Sequence, residues 1–375
     1  MDVKKISRIV VPVLILALVM FACSRGESGV IDPSPSPDVT VTVRPTPTPT
    51  PTPTPSPTPA PIYTHPLTGR IIDEPFPNTR PWAVSINNVP QALPQCSIAY
   101  ADMIFEVVAE GATRMIALYS SLDEAGKIGS IRSVRPYFIE ISSAYDAILI
   151  HSGGSEQAYY DLAANKLDHI DGTRGDSAAF YREPSRLGWY AIEHTQFSTA
   201  ELLHAGMERA GHRAEHDIVD GEAFDYGLNF NDELELVDGE TADTIHVMYA
   251  FCGKFTDFTY DDADNKYYMR QTWWNTVQDY IDGNTEQKVG FENVLILYTN
   301  TYALNDDLAH LSIETTGFGT GYFAYGGRYI EIKWSRTSGE PFIFTTIDDE
   351  PLELGVGTTF VCSVAPTANS EVKFS

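Results

Sequence analysis

The pattern of hydrophobic and polar positions predicts strands first and then helices in the middle of the chain. Apolar and β-branched runs at Trp82–Asn88, Met103–Ala109 and Arg114–Ser120 predict strands. The second and third form a hairpin that turns through Glu110-Gly111-Ala112. Pro136 then opens an apolar-periodic segment to about Ala144, as in a helix that begins with proline.

Two further segments predict helices, and the pattern then changes. The apolar run Ala147–Ile150 is followed by Gly153-Gly154 and a helical stretch from Ser155 to about Lys166, which predicts a strand, a glycine turn and a helix. Ser198-Thr199-Ala200-Glu201 has the spacing of a capping box, and this helix ends near Gly211. From about Thr244, alternating apolar residues, aromatic clusters and glycine turns predict a mainly β structure.

These patterns predict an α+β protein with two folded domains. The first is a mixed α/β domain over residues 65–225, and the second is a smaller, mainly β domain over residues 240–366. An acidic stretch from Asp217 to Asp243 with several glycines is the predicted connection between them.

The first 22 residues have the layout of an export signal. Lys4, Lys5 and Arg8 precede an apolar run from Ile9 to Ala22, which is short for a bilayer about 30 Å thick. Residues 1–22 are therefore predicted to be a signal peptide. Ala22-Cys23 resembles the end of a bacterial lipobox, so Cys23 is the predicted lipidation site. A plain secretory signal or an uncleaved N-terminal anchor is the alternative.

Residues 23–64 are predicted to be a stalk. Between Ile31 and Pro61 lie 12 of the chain's 24 prolines, mostly in Thr-Pro repeats. In a polyproline II conformation the 41 residues from Ser24 to Thr64 extend roughly 120 Å. The prediction is a protein held to the cell membrane by lipid, with its folded part on the extracytoplasmic face.

The charge excludes one class of partner. Lys and Arg number 25 against 51 Asp and Glu, which gives a formal charge of −26. Residues 65–375 alone carry 20 − 47 = −27. Nucleic acid is excluded as a general partner, because binding its phosphates requires basic clusters.

The cysteines do not form a disulfide framework. Beyond Cys23 only Cys96, Cys252 and Cys362 remain, and an odd number cannot all pair within one chain. Cys252 and Cys362 either form one bridge or stay as free thiols, and free thiols are the commoner state in such apolar surroundings.

A candidate anion site surrounds the glycine turn. In His151-Ser152-Gly153-Gly154-Ser155, the glycines let backbone N–H groups approach a carboxylate or phosphate at a helix N-terminus. Arg132 and Arg135 lie just upstream and offer guanidinium groups suited to such anions. In the alternative interpretation the glycines only turn the chain, Ser155 caps the helix, and the arginines pair with carboxylates such as Glu140 or Asp146.

Several segments, in order, resemble a known bacterial family. They are Pro66–Gly69, Ala101–Glu106, Glu110–Arg114, Ile128–Phe138, His151–Ser155, Ala179–Arg182, Glu193–Thr195, Gly326–Arg328 and Trp334. The series resembles the YerB-like lipoproteins, catalogued as domain-of-unknown-function family 3048. The resemblance implies an extracytoplasmic lipoprotein with two adjacent domains, and it supplies no reaction, cofactor or catalytic residue. Thr195 departs from the asparagine expected after the histidine.

The candidate ligand-binding set combines the turn with nearby basic residues: Arg114, Arg132, Arg135, His151, Gly153, Gly154, Ser155, Arg182 and His194. We expect the arginines to clamp an anion and the histidines to act as hydrogen-bond partners or as general acid/base groups. The preferred hypothesis is a binding module for an anionic cell-envelope ligand or a protein partner.

The alternative hypothesis is a hydrolase directed at the cell wall, which would use histidine, serine and carboxylate side chains of the first domain. Glu106 and Glu110 are a weak glycosidase pair. His212 and His216 match an inverted zinc-peptidase spacing without a third ligand. No motif assigns a cofactor or a metal.

Overall fold

A computed structural model describes residues 61–273 and 276–375, which belong to one compact unit. The predicted signal peptide, Cys23 and most of the predicted stalk lie outside the described residues. Within the described ranges, no helix is long and apolar enough to cross a membrane.

The first part of the described chain contains short strands and all the α-helices of the described residues. The strands are β1 (Tyr63–Thr64), β2 (Ile71–Ile72), β3 (Trp82–Asn87), β4 (Met103–Ala109), β5 (Ala112–Tyr119), β6 (Lys127–Gly129), β7 (Ile148–His151), β8 (His169–Asp171), β9 (Tyr181–Arg182) and β10 (Gln196–Thr199). The helices are α1 (Pro136–Ala144), α2 (Glu156–Asn165) and α3 (Ala200–Ala210).

The second part consists of strands and turns. The strands are β11 (Asn229–Asn231), β12 (Glu240–Thr241), β13 (Thr244–Met248), β14 (Lys254–Asp261), β15 (Lys266–Trp273), β16 (Thr276–Asp279), β17 (Gly290–Phe291), β18 (Asn293–Tyr298), β19 (Thr301–Ala303), β20 (Leu311–Ile313), β21 (Gly317–Tyr325), β22 (Arg328–Arg336), β23 (Ile343–Thr346), β24 (Glu353–Gly355), β25 (Thr359–Val364) and β26 (Glu371–Phe374). Strands make up 42% of the described residues and helices 14%, so this part of the chain is mostly β with few helices.

One large mixed sheet organises the molecule. Its order is β12-β22-β21-β18-β25-β4-β5-β3-β7-β8, with β23 paired to β22. The parallel pair of β25 and β4 aligns Cys362 with Glu106. The sheet takes strands from both sides of the predicted domain connection, and the predicted boundaries stay a prediction.

Hydrophobic cores cover both faces of this sheet. In β4, Ile104 points into one core and Phe105 into the other, as the alternation of side chains along a strand requires. The first core includes Phe258 and Tyr267 of a six-stranded sheet, ordered β16-β15-β14-β13-β26 with β17 paired to β15. The second core includes Phe138 of α1 and residues of α2. Because both faces are covered, every residue of β3 and β4 is buried.

The helix ends follow ordinary capping chemistry. Pro136 is the first residue of α1, where its missing N–H costs nothing. The Ser155 hydroxyl accepts a hydrogen bond from the Ala158 N–H and caps α2. Thr199 caps α3 in the same way, and Gly211 ends that helix with φ 68°.

The three cysteines of the described residues are free thiols. Burial raises the pKa of Cys96 and of Cys252 to about 11, and that of Cys362 to about 12. Thiols with such pKa values stay protonated at neutral pH and are poor nucleophiles. Cys252 and Cys362 are therefore free thiols in this structure and do not form a disulfide bridge.

Candidate functional site

A cluster of arginines lies at the tip of the β4–β5 hairpin, where Glu110 has a positive φ of 44° before Gly111. Arg135, the residue before α1, donates from Nε and Nη2 to the two carboxylate oxygens of Glu110 at 2.6 and 2.7 Å. Arg114 of β5 donates from Nη2 to the same carboxylate at 2.9 Å and from Nη1 to the Ser133 carbonyl. Two of the predicted anion clamps thus bind an internal anion.

Burial and the neighbouring guanidinium group of Arg135 lower the pKa of Arg114 to about 10, although Glu110 opposes this shift. Arg114 therefore remains a cation at neutral pH. The predicted alternatives for the arginines, Glu140 and Asp146, bind other residues: Glu140 pairs with Arg336, and Asp146 pairs with Arg80 and Arg213.

Among the described residues, Arg132 is the arginine of this cluster whose guanidinium group has no partner. Its backbone is fixed, because its N–H donates to the Ser85 carbonyl at 2.8 Å and its carbonyl accepts from Ser152 at 3.1 Å. Within residues 61–273 and 276–375, the half-buried Arg132 side chain has no hydrogen-bond or ion-pair partner. Burial lowers its pKa, while Glu193 acts in the opposite direction. Arg132 is thus a positioned cation with unused donors.

The glycine turn already holds a carboxylate from the protein itself. The Gly153 N–H donates to Oδ1 of Asp171 at 2.9 Å, and the N–H groups of Thr173 and Arg174 and the Tyr159 hydroxyl also donate to this side chain. Burial alone would raise the pKa of Asp171, but His151 and these hydrogen bonds hold it below its usual value. The turn therefore does bind an anion, and that anion is Asp171.

Gly154 and Ser155 have structural surroundings. A Cβ atom added at Gly154 would lie 2.9 Å from Cγ1 of Val134, with which this residue forms an isolated parallel bridge. The Ser155 hydroxyl caps α2. These contacts match the alternative interpretation, in which the turn redirects the chain and Ser155 begins the helix.

His151 is fully buried, and both its ring nitrogens have partners. Nδ1 lies 2.8 Å from the Gly153 carbonyl, which only accepts hydrogen bonds, so Nδ1 carries the proton. Nε2 then accepts from Nδ1 of His169 at 3.0 Å. Burial lowers the pKa of His151 to about 4, so the ring is neutral at physiological pH. Its nitrogens are not within hydrogen-bond reach of Ser155.

His194 and Arg182 hold the loop that faces Arg132. Nδ1 of His194 lies 2.8 Å from the Asn87 side-chain amide, and burial lowers the pKa of this histidine. Nη1 of Arg182 donates to the Ile192 carbonyl at 2.6 Å and to the Thr195 hydroxyl at 3.3 Å. Thr195, where an asparagine was expected, thus helps to fix this loop.

The structure therefore brings the predicted residues into one neighbourhood but gives them separate tasks. Arg114 and Arg135 share Glu110, while His151 and Gly153 support the Asp171 turn. The bridge of Val134 to Gly154 joins the two groups. Arg132 acts electrostatically on both Arg114 and His194 and lowers their pKa values, so its charge lies near both of them.

A buried polar network beneath the sheet was not predicted. The Glu106 carboxylate accepts hydrogen bonds from Lys254, Asn88, Thr113, Tyr249 and Thr256. Lys254 and Glu106 are both fully buried, and they join β14 of the six-stranded sheet to β4 of the large sheet. A single glutamate inside the otherwise apolar strand Met103–Ala109 was the available signal.

The residues of the two other predicted motifs, the zinc-peptidase spacing and the glycosidase pair, contact other residues of the protein. His212 binds Asp168 and the His169 carbonyl, whereas His216 binds Asp146 and the Tyr226 hydroxyl. Glu106 is inaccessible to a polysaccharide, because it is buried against Lys254. In the part of the chain that the structure describes, no group of three or more His, Cys, Asp or Glu side chains could hold a metal ion.

Comparisons with known proteins agree on one family. Residues 67–213 match the model for the N-terminal domain of a protein of unknown function (DUF3048), and residues 245–361 match the C-terminal domain of the same family. The putative lipoprotein YerB of Bacillus subtilis (strain 168) is 24% identical over 280 residues, which cover 73% of this chain and 78% of that protein. The crystal structure of YerB from Bacillus subtilis has the same fold, with a TM-score of 0.68, 23% identity and coverage of 83% of this chain and 99% of that one.

Proposed function

The chain belongs to the DUF3048 family of proteins of unknown function, and on this premise we propose that it is a lipid-anchored, extracytoplasmic binding protein that holds an anionic ligand at Arg132. The ligand is a carboxylate or phosphate of the cell envelope or of a partner protein. Because the proposal is a binding function, it requires no bond-breaking residue.

The observation that supports this proposal is that the Arg132 guanidinium has no hydrogen-bond or ion-pair partner among the described residues. A half-buried guanidinium loses part of its hydration and gains stability from a paired anion. Arg114 and Arg135 already donate to the Glu110 carboxylate, and the Gly153 N–H already donates to Asp171. Among the residues that the structure describes, Arg132 is the one arginine of the predicted set whose guanidinium makes no hydrogen bond or ion pair.

The distribution of charge also favours anion binding at Arg132. Residues 65–375 carry a charge of −27, so most of the surface repels anions. Around Glu110, by contrast, the guanidinium groups of Arg114, Arg132 and Arg135 outnumber the one carboxylate, which Arg114 and Arg135 share. Glu193 partly offsets this excess, because its carboxylate acts electrostatically on Arg132.

The membrane anchor is supported by the leader and by the relative. The related Bacillus protein is named a putative lipoprotein. In this chain Ala22-Cys23 supplies the lipidation site, residues 1–22 the signal peptide and residues 23–64 the stalk. This arrangement presents Arg132 to the cell exterior, on the extracytoplasmic face of the membrane.

The domain organisation remains part of the proposal. We assign a mixed α/β domain to residues 65–225 and a smaller, mainly β domain to residues 240–366. In support, α1, α2 and α3 all lie between residues 136 and 210, and the family models end and begin at 213 and 245. The buried pair of Glu106 and Lys254 then becomes an interdomain contact.

The test measures binding by the full-length protein in detergent micelles. Inorganic phosphate, glycerol phosphate and the carboxylate-bearing envelope fragment muramyl dipeptide are titrated while intrinsic tryptophan fluorescence follows thermal unfolding. We expect at least one of them to raise the Tm of the wild type but not of Arg132→Gln. Arg270→Gln is the control, because Arg270 is an exposed arginine on β15 next to Asp279. Identical responses of the wild type and Arg132→Gln to every probe would refute the proposal.

The hydrolase alternative gains no support from a specific contact. Ser155 caps α2, both nitrogens of His151 are occupied, and His194 binds the Asn87 amide. A serine nucleophile requires a histidine within hydrogen-bond reach. We therefore propose binding without catalysis.

A further inference from the structure

The buried network around Glu106 brings together the groups that a covalent cross-link between side chains requires. Lys254 carries an amine, Asn88 a carboxamide and Glu106 a carboxylate, and all three side chains are fully buried. Lys254 and Asn88 both donate hydrogen bonds to the same atom, Oε1 of Glu106, and the Asn88 contact measures 2.8 Å. At ordinary hydrogen-bond lengths, two donors to one oxygen lie about 5 Å apart or closer. The amine and the amide therefore meet at one carboxylate.

The orientation of the Asn88 amide is fixed by a chain of donors. The Trp273 indole N–H, which can only donate, lies 3.1 Å from Oε1 of Gln271. Nε2 of Gln271 therefore faces Asn88 and donates to its Oδ1 at 2.7 Å. Nδ2 of Asn88 is then the atom that faces Glu106. This orientation suits an attack on Cγ of Asn88, because the Gln271 donor stabilises the negative charge that develops on Oδ1.

The surroundings of Lys254 favour the nucleophilic form of its side chain. Burial lowers the pKa of the Lys254 ammonium group well below its usual value, although Cys362 and Asp257 act in the opposite direction. Transfer of one proton from Nζ to Glu106 gives a neutral amine beside a neutral carboxylic acid. The neutral amine is the form of lysine that attacks a carbonyl carbon. Because these side chains are fully buried, water does not compete with the amine.

We propose that Nζ of Lys254 and Cγ of Asn88 form an intramolecular amide bond, with Glu106 as the group that transfers the protons. The amine attacks Cγ, to which both nitrogens are then bonded. Glu106 takes a proton from Nζ and delivers one to Nδ2, which leaves as ammonia when the Cγ–Nδ2 bond breaks. One C–N bond forms and one breaks, so no oxidant, cofactor or external reagent is needed. A small rotation of the lysine side chain gives the near-attack distance of about 3–3.5 Å.

The bond joins the two sheets of the molecule covalently. Asn88 directly follows β3 of the large sheet, and Lys254 is the first residue of β14 in the six-stranded sheet. The cysteines of the described residues are free thiols, so no disulfide among them has this role. A cross-link between residues far apart in the sequence restricts the unfolded chain and thereby stabilises the folded one. This inference is independent of the ligand at Arg132.

The experiment examines the full-length protein after extraction from its own membranes with detergent. The protein is denatured, reduced and digested with trypsin, and the peptides are identified by tandem mass spectrometry. In most wild-type molecules we expect two peptides joined at Asn88 and Lys254, lighter than their sum by one ammonia, about 17 Da. Trypsin should also fail to cut after Lys254, because an acylated lysine carries no charge for the protease to recognise.

Three substitutions test the assigned roles. Asn88→Ala removes the electrophile, Lys254→Arg removes the nucleophile, and Glu106→Gln removes the proton-transfer group while both reacting side chains remain. Each variant should lose the linked pair of peptides. Lys288→Arg is the matched control, because Lys288 is an exposed lysine beside Asp279, and this variant should keep the linked pair. Circular dichroism identifies the variants that are folded, and the wild-type result itself depends on no substitution.

The proposal is overturned if the folded wild type yields the Asn88 and Lys254 peptides only in unlinked form. It is also overturned if Lys254 is joined instead to Glu106, with the loss of one water, about 18 Da, or to Gln271, because Asn88 is then not the electrophile. It fails as well if a folded Glu106→Gln variant is linked as completely as the wild type.

Discussion

Asp171 accepts a hydrogen bond from the Gly153 backbone N–H at 2.9 Å, and this contact explains why the glycine turn is not open to an external anion. The same carboxylate also binds the backbone of Thr173 and Arg174. A strand–glycine–helix turn that resembles an anion site is here closed by an acid from the next strand. The open donor belongs instead to Arg132, on the neighbouring segment.

Replacing Asp171 by alanine should therefore destabilise the protein by about 2–4 kcal/mol, because buried N–H groups and the Tyr159 hydroxyl lose their acceptor. Urea unfolding at pH 7 measures the change. Asp123→Ala, at an exposed loop position, is the control and should change the free energy of unfolding by less than about 0.5 kcal/mol.

The sign of the pH effect follows from the depressed pKa of Asp171. The stabilisation is present above the pKa of the unfolded state, near 3.9, and is lost as the pH falls through the lower folded value. The wild type and Asp171→Ala should thus converge in stability at strongly acid pH. A constant difference between pH 7 and pH 2 would contradict this account.

His151 should make stability fall with acid over a higher range. Its pKa of about 4 lies below the ordinary value of 6.5, so the unfolded chain takes up a proton first as the pH drops. Stability should decrease between pH 6.5 and about 4, by about 3 kcal/mol in total.

The variant His151→Leu should be less stable than the wild type at pH 7, because the Gly153 carbonyl and Nδ1 of His169 lose their partner. Its unfolding free energy should depend less steeply on pH in this range. His204→Gln, which changes an exposed histidine, controls for unfolded-state effects. Parallel pH profiles for the wild type and His151→Leu would exclude His151 as the source.

Local patterns predicted the central elements well. The strand Met103–Ala109 and the helix Pro136–Ala144 have the predicted bounds, because alternation, periodicity and an initial proline act within a few residues. The pairing of β25 with β4 could not be predicted, since a buried apolar strand does not encode which distant strand lies beside it.

The site was predictable to a similar extent. Arg114, Arg132 and Arg135 do lie together, but which of them is satisfied depends on Glu110 and on the fold of the hairpin. Asp171 escaped notice because β8 is only three residues long and has no marked pattern. Electrostatic pairing is set by three-dimensional distance, and the sequence spacing of these groups carries little information about it.

Substitutions of Arg135 and Arg132 should differ in their effect on the free energy of unfolding. Arg135→Ala removes the paired hydrogen bonds to Glu110 and should cost about 2–3 kcal/mol. Arg132→Ala removes no hydrogen bond found among the described residues and should cost less than about 1 kcal/mol. Urea unfolding of the variants gives both values. If Arg132→Ala were the more damaging change, Arg132 would be structural, and its assignment as a ligand donor would fail.

The buried pair of Lys254 and Glu106 should show strong coupling in a double-mutant cycle. Lys254→Met leaves the Glu106 carboxylate without its cation and should destabilise the protein by about 3–5 kcal/mol. Glu106→Gln alone leaves the buried ammonium without a carboxylate and should be similarly damaging. The double variant removes both charges, so its loss should be smaller than the sum of the single losses by about 2–3 kcal/mol.

Because Lys254 lies on β14 and Glu106 on β4, the coupling also measures how firmly the six-stranded sheet is held to the large one. Additive losses in urea unfolding would mean that the hydroxyl and amide donors around Glu106, rather than Lys254, stabilise its charge.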